Sequence, residues 1–209
     1  MREDPITPAQ RKLLEALRGK EAVRGFYLAG GSALALRLRH RRSFDHDFFR
    51  QAPFRPTDLA ARIAEIQGPV TPLQVEKGTL TLKNAAGVKA SFFEYPYPLL
   101  EPLEDVEGLF PTASLLDIAL MKLTAIADRG ARKDFIDLHA ILSAGLFLAE
   151  VFSRLPDKFP GANYQRYHFL KALTYFDDAV EEPLMLLGPR PGWDEIKDFF
   201  RMEVAKLRP

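Results

Sequence analysis

FYLAGGSALALRLRHRRSFDHDFF, residues Phe26–Phe49, is the stretch that decides how the rest of the chain is read. An apolar run, Phe26–Ala29, ends in Gly30-Gly31-Ser32, and Asp45-His46-Asp47 follows, continued by Phe48 and Phe49. A strand over 44–49 carries Asp45 and Asp47 on one face, because strand side chains alternate. Two carboxylates that close repel each other unless a cation or a proton lies between them. Mg²⁺, a hard ion that usually arrives with nucleotide phosphates, suits that place. If Gly30-Gly31-Ser32 opens a helix, it offers bare backbone N–H groups and a positive dipole end to such a phosphate.

Working outward, Thr7-Pro8-Ala9-Gln10 reads as a capped helix start, with the helix running to about Gly19. Ser32–Arg39 reads as a second helix and Thr57–Ile66 as a third. Strand-like patterns at 73–76, 79–83 and 88–94 are separated by glycine-containing turns. Together these predict a small mixed sheet with helices against it. After the Pro-rich piece Tyr95–Pro102 the texture becomes helical. Ser114–Asp117 starts an apolar helix ending near Arg129, a second helix covers 133–142, and breaks fall at Pro156, Pro160-Gly161 and Gly188-Pro189-Arg190-Pro191-Gly192. The expected organisation is a core over residues 1–105 and a helical region over 106–209 that completes the site.

On the 114–129 helix, Asp117, Thr124 and Asp128 gather on one side, and Lys122 lies roughly 140° from them at about 100° per residue. A lysine among Leu115, Ile118, Ala119 and Ile126 must snorkel or meet an anion. Asp134 and Asp137 share a helical face, where pairing with Arg129 or Lys133 is the plain structural reading. Arg37, Arg39, Arg41 and Arg42 with His40 form the densest basic run: a solvated helix end, or a landing strip for RNA whose grip weakens with salt. The C-terminal aromatics Tyr164, Tyr167, Phe169, Tyr175 and Phe176 read as helix packing.

The Gly-Gly-Ser, spacer and Asp-x-Asp arrangement resembles the signature of the DNA polymerase β-type nucleotidyltransferases. Ser43-x-Asp45-x-Asp47-Phe48-Phe49, with the downstream run from Lys122 through Arg129 and Lys133 to Asp134 and Asp137, is similar to the AbiEii/AbiGii toxin family within it. The resemblance implies an α/β (α+β) polymerase β-like core. It also implies Mg²⁺-dependent transfer of an NMP from an NTP to an acceptor hydroxyl. Asp45 and Asp47 would hold two Mg²⁺ ions, with Mn²⁺ as an alternative, one activating the hydroxyl and one bridging the triphosphate. Gly30, Gly31, Ser32 and Ser43 would hold phosphates, Lys122 the triphosphate, and Asp134 or Asp137 would orient the lysine or the acceptor. A third carboxylate on a later strand is common in such sites; the strand Val88–Tyr95 offers only Ser91 or Glu94. His46 replaces an apolar residue and is expected on the opposite face as a hydrogen-bonded core histidine.

The implied role is the toxin of a bacterial toxin–antitoxin or phage-defence pair, with an antitoxin partner and RNA, at the tRNA 3′ end, as acceptor. Two alternatives stay open: a degenerate member that binds nucleotide or a partner without turnover, and nucleotidylation of a protein or small molecule.

The 209 residues suffice for a sizeable core. A formal net charge of +1 leaves any polyanion to local patches. No cysteine is present, which excludes disulfides and thiolate metal sites and fits a reducing cytosol. MREDPITPAQ lacks the pattern of a signal peptide, and charges interrupt each apolar run. The expectation is a cytoplasmic protein without a membrane segment.

Overall fold

The computed structural model describes residues 4–161, 165–180, 183–189 and 191–207; Tyr164 and Arg190 lie outside them. Both halves of the predicted capping box start α1 (Pro8–Leu17): the Gln10 amide donates to Thr7 Oγ1 at 3.2 Å, and the Thr7 amide donates to Gln10 Oε1 at 2.9 Å. A 3₁₀ turn over Glu21–Val23 leads into β1 (Tyr27–Ala29), which is buried along its whole length, and α2 (Gly30–Leu38) follows without a linker. Next come β2 (Asp45–Arg50), α3 (Pro56–Gln67), β3 (Val70–Glu76), β4 (Thr79–Asn84) and β5 (Lys89–Glu94). Then follow β6 (Glu104–Val106), β7 (Phe110–Thr112), α4 (Leu115–Arg129) and α5 (Arg132–Ser143). The chain closes with α6 (Leu148–Ser153), α7 (Leu155–Lys158), α8 (Arg166–Ala172) and α9 (Trp193–Leu207).

The strands form one seven-stranded mixed sheet in the order β3-β4-β5-β2-β1-β7-β6. β2 runs parallel to β5 and β1 parallel to β7, while the other neighbours are antiparallel. The sheet therefore extends past residue 105: β6 straddles that boundary, and β7 lies wholly within the stretch the sequence assigned to helices. Three-residue strands carry too few alternations for a period of two to be visible.

The central strands are two-faced. Phe48, Leu80, Leu82, Ala90 and Phe92 share the apolar face and are completely buried, and Phe48 stacks on Phe92 with ring centroids 4.7 Å apart. His46 points to this same face, where its Nε2–H donates to the Gln10 carbonyl at 3.1 Å and joins β2 to α1. Burial holds its pKa down to about 4 against that hydrogen bond, so the ring is neutral at pH 7. The alternate residues Asp45, Asp47 and Phe49 are left for the other face, towards α4. Among the described residues, no helix is long and apolar enough to cross a membrane.

Candidate active site

The β1–α2 junction is tight, and its glycines have separate physical reasons. Gly30 sits at φ +66°, a left-handed conformation that side chains resist, and a Cβ there would stand 3.0 Å from Asp47 Oδ2. Gly31 has ordinary φ but no room: its Cβ would lie 2.6 Å from an Arg41 guanidinium nitrogen and 3.2 Å from Ser43 Oγ. Ala29, the N-cap of α2, makes no side-chain hydrogen bond to the first-turn amides, which lack partners within the helix. Ser32 and Ser43 are buried rather than facing open space. Their hydroxyls lie 3.1 Å apart and Ser32 donates to the Asp45 carbonyl, so they clamp the start of β2 to α2.

Asp47 is paired in register with Ala29 on one side and Ser91 on the other. Desolvation raises its pKa, and Asp45 adds to the rise, while Lys122, Lys89 and Arg129 pull it back. Asp45 is about half exposed and meets Lys89 Nζ at 3.4 Å, its register partner on β5. The position opposite Asp47 holds Ser91, whose hydroxyl accepts from Thr81 Oγ1 at 3.2 Å. Glu94 lies opposite Arg50 at the end of β5, and no three His, Cys, Asp or Glu side chains among the described residues group around one point. Two carboxylates, one crowded and one open, suit an ion that shares its shell with substrate phosphates, which is how Mg²⁺ is commonly held.

Facing Asp47 across a cavity of about 540 Å³ stands α4. Gly30, Asp47, Glu94, Lys122, Arg129 and Asp134 all line that cavity. Lys122 is buried and meets the anions its position demanded: Nζ is 2.9 Å from Asp134 Oδ1 and 2.6 Å from Asp137 Oδ2. Burial would lower its pKa, but Asp137 and Asp134 outweigh it and raise it, so it stays charged. Arg129 grips Asp134 with two bonds, at 2.8 and 3.0 Å, while its side chain is 54% exposed towards the cavity.

Asp134 and Asp137 now part ways. Asp134 lines the cavity, whereas Asp137 lies a helical turn deeper and accepts from Arg41 Nε at 2.7 Å, Arg41 Nη2 at 2.8 Å and His40 Nε2 at 2.7 Å. Gly31, Arg41, Asp137 and Lys122 thus form one contact chain from the turn to the cavity. Gly31→Ala is expected to push Arg41 off Asp137 and to cost about 1–3 kcal/mol, the usual range for overpacking. A urea melt checks this; a midpoint equal to wild type would show that the guanidinium has room to retreat.

The basic run is not an open strip. Arg37 pairs with Glu104 at 2.8 Å, Arg39 with Glu107 at 2.8 Å, and Arg42 Nε donates to the Asp4 carbonyl at 3.2 Å. His40 and Arg41 are buried. Of the C-terminal aromatics, Phe169 is buried and Phe176 packs on Phe135 and Trp193, but Tyr167 and Tyr175 are surface side chains. The cavity instead has an aromatic side the sequence reading passed over: Phe49, Phe93, Tyr95, Tyr97 and Phe159. The spacing of two from Ser91 to Phe93, in phase with Asp47, was the signal for its first ring, and Tyr95 and Tyr97 follow just beyond the end of β5.

A model of the family described as the nucleotidyl transferase AbiEii toxin of type IV toxin–antitoxin systems matches residues 12–207. An uncharacterized protein of Aquifex aeolicus is 38% identical over 202 residues, covering 94% of this chain and 95% of its own. Among solved structures, the nucleotidyltransferase toxin MenT4 of Mycobacterium tuberculosis H37Rv superposes with a TM-score of 0.63 at 17% identity, over 96% of this chain and 82% of that one. A protein of H. pylori assigned as a nucleotidyltransferase gives 0.55 at 18% identity, over 96% and 95%. These two share the mixed sheet and its surrounding helices as a fold. With the family model spanning nearly the whole sequence, the chain belongs to the AbiEii nucleotidyltransferase toxin family.

Proposed function

We propose that this protein transfers the nucleoside monophosphate of an NTP to an acceptor hydroxyl with Mg²⁺, and that the acceptor is the 3′ end of an RNA, tRNA foremost. The observation that carries the reading is the meeting of Asp47, Gly30, Lys122, Asp134 and Arg129 in one cavity from distant points of the chain. In the step proposed, the acceptor oxygen bonds to the α-phosphorus, the bond from that phosphorus to the bridging oxygen breaks, and pyrophosphate leaves while the acceptor proton goes to solvent. Divalent metal held by Asp45 and Asp47 supplies charge neutralisation at the reacting phosphate. Gly30 and the first turn of α2 give the phosphates backbone N–H groups. Lys122 and Arg129 place positive charge at the leaving pyrophosphate, and Asp134 fixes the direction of both cations. Ser32 and Ser43 keep Asp45 and Asp47 seated beside that turn. The work is positioning and electrostatics rather than covalent chemistry.

The biological reading includes a cytoplasmic location, where NTP and RNA are supplied, and an antitoxin that silences the protein. The catalytic core would take in residues 1–105 together with β6 and β7, which complete its sheet, and the helices that follow would supply Lys122 and Asp134 to it.

Each α-³²P-labelled NTP, incubated with Mg²⁺, purified protein and total bacterial RNA, tests the reading. Label is expected on RNA, lost after RNase treatment and absent with chelator. Label resistant to RNase would keep the chemistry and move the acceptor to a protein or small molecule. Ser91, standing where a third carboxylate would face Asp47, favours a second reading, a nucleotide-binding member without turnover. Mg-NTP binding with no labelled product would select it.

A further inference from the structure

The cavity is divided by polarity. One end holds Gly30, Asp47, Lys122, Asp134 and Arg129, Glu94 and Asp128 add two further carboxylates to the lining, and the other side is dominated by a wall of rings that none of those contacts explains. We propose that this wall, made by Phe93, Tyr95 and Tyr97, is the stacking surface for the base of the bound NTP. The inference rests on the nucleotide reading above and adds where the nucleoside half of the substrate lies.

The wall begins next to the proposed chemistry. Phe49 follows Asp47 on the same face of β2, about 7 Å along the strand, and its ring is 5.3 Å from that of Phe93. From there the rings continue away from the carboxylates: Phe49 to Tyr95 at 5.5 Å, Tyr95 to Tyr97 at 5.0 Å, and Tyr97 to Phe159 at 4.8 Å. A base is joined to its phosphates through one ribose, so phosphates at Gly30 and Lys122 set the base down on this side of the cavity.

The rings are unlike core aromatics of the same strand. Phe92 on the opposite face is completely buried, whereas Phe93, Tyr95 and Tyr97 are only half-buried and line open space. They are nevertheless fixed. Each tyrosine contact is edge-to-face, at interplanar angles of 71–77°, and the Tyr95 amide donates to the Arg50 carbonyl at 2.8 Å. Lys158, completely buried and bonded to Asp117 at 2.6 Å and the Pro98 carbonyl at 2.7 Å, sets its ammonium 5.6 Å from the Tyr95 ring centre. A rigid aromatic surface left facing a cavity meets a planar ligand with little loss of side-chain freedom. Across the cavity, α4 presents Met121, Thr124 and Ala125. Because every base has a π-face, such a wall sets affinity for nucleosides in general more than it ranks the four bases.

Binding of two probes by calorimetry, with Mg²⁺ and no acceptor, separates the two ends. One probe is inorganic tripolyphosphate, which engages only the charged end; the other is each of the four α,β-methylene NTP analogues, which engage both. Tyr95→Leu and Tyr97→Leu are expected to raise the Kd of all four analogues about 10- to 100-fold, the range of base–aromatic stacking, and to leave tripolyphosphate unchanged. Tyr95→Phe and Tyr97→Phe are expected to bind like wild type, since the ring face is kept. Leucine variants that retain full affinity for the analogues would overturn the proposal, as would analogue binding unchanged while RNA affinity falls, which would assign the wall to the acceptor. A wild-type protein that binds tripolyphosphate but gains nothing from the nucleoside would overturn the wall alone. Wild-type protein that binds neither probe would remove the nucleotide reading itself, and the wall with it.

Discussion

Asp47→Asn is expected to lower nucleotidyl transfer by at least about 10³-fold, the scale of losing a charge-stabilising group from a phosphoryl-transfer site. Asparagine keeps the volume and one oxygen but carries no negative charge. Desolvation already works against the Asp47 carboxylate, and Gly30 leaves it space where a Cβ would stand 3.0 Å from Oδ2. Removing the charge therefore takes nothing from folding. The variant should melt at or slightly above the wild-type temperature while its labelled product disappears. That combination distinguishes a metal ligand from a packing residue, whose loss would lower both. Undiminished transfer by folded Asp47→Asn would end the two-carboxylate account of the site.

For Asp137→Asn the largest expected change is in stability, a loss of about 3–5 kcal/mol, the usual cost of removing one partner from a buried ion pair. Three donors converge on this carboxylate: Lys122 at 2.6 Å, Arg41 at 2.7 Å and His40 at 2.7 Å. All are shielded from water, so an amide in their midst leaves Arg41 and half of the Lys122 environment uncompensated. The pH dependence has a definite sign. Burial alone would raise the Asp137 pKa, but Lys122 and Arg41, with the His40 hydrogen bond, hold it well below 3.8. The folded state thus releases the proton more readily than the unfolded chain. The stabilisation is full above the unfolded value near 3.8 and disappears as pH falls through the lower folded value. Wild-type urea midpoints should drop on acidification below about pH 4, and Asp137→Asn should be low already at pH 7 and change less. Equal midpoints for both proteins at pH 7 would show that the cluster contributes no net stability.

Much of the site was legible because its logic is local. Gly30-Gly31-Ser32 and Asp45-x-Asp47 sit within one strand–helix–strand unit, where alternation alone puts both carboxylates on one face and His46 on the other. Lys122 was legible for a related reason: a charge on an apolar helix stripe needs a partner, and Asp134 and Asp137 are the partners found. The basic run was misleading because a row of arginines looks the same in sequence whether it faces water or acids. Glu104, Glu107 and Asp137, which pair with three of them and bury one, Arg41, come from far along the chain. The separate fates of Asp134 and Asp137 were equally hidden, since helical spacing puts them on one face without saying how deep each lies.

By itself the sequence determined the elements whose periodicity is long or whose ends are chemically marked: the capped α1 and α4, the β1–α2 glycine turn, the alternation of β2, and the family to which these belong. Only the tertiary structure decided that β6 and β7 join the sheet, that Ser91 and Lys89 stand opposite the aspartates, and that an aromatic wall faces α4 across the cavity. The division follows from range. Caps, turns and alternation are set by residues within a few positions of one another, whereas strand register, ion-pair partners and cavity walls depend on which distant surfaces pack together, and burial rather than local spacing selects them.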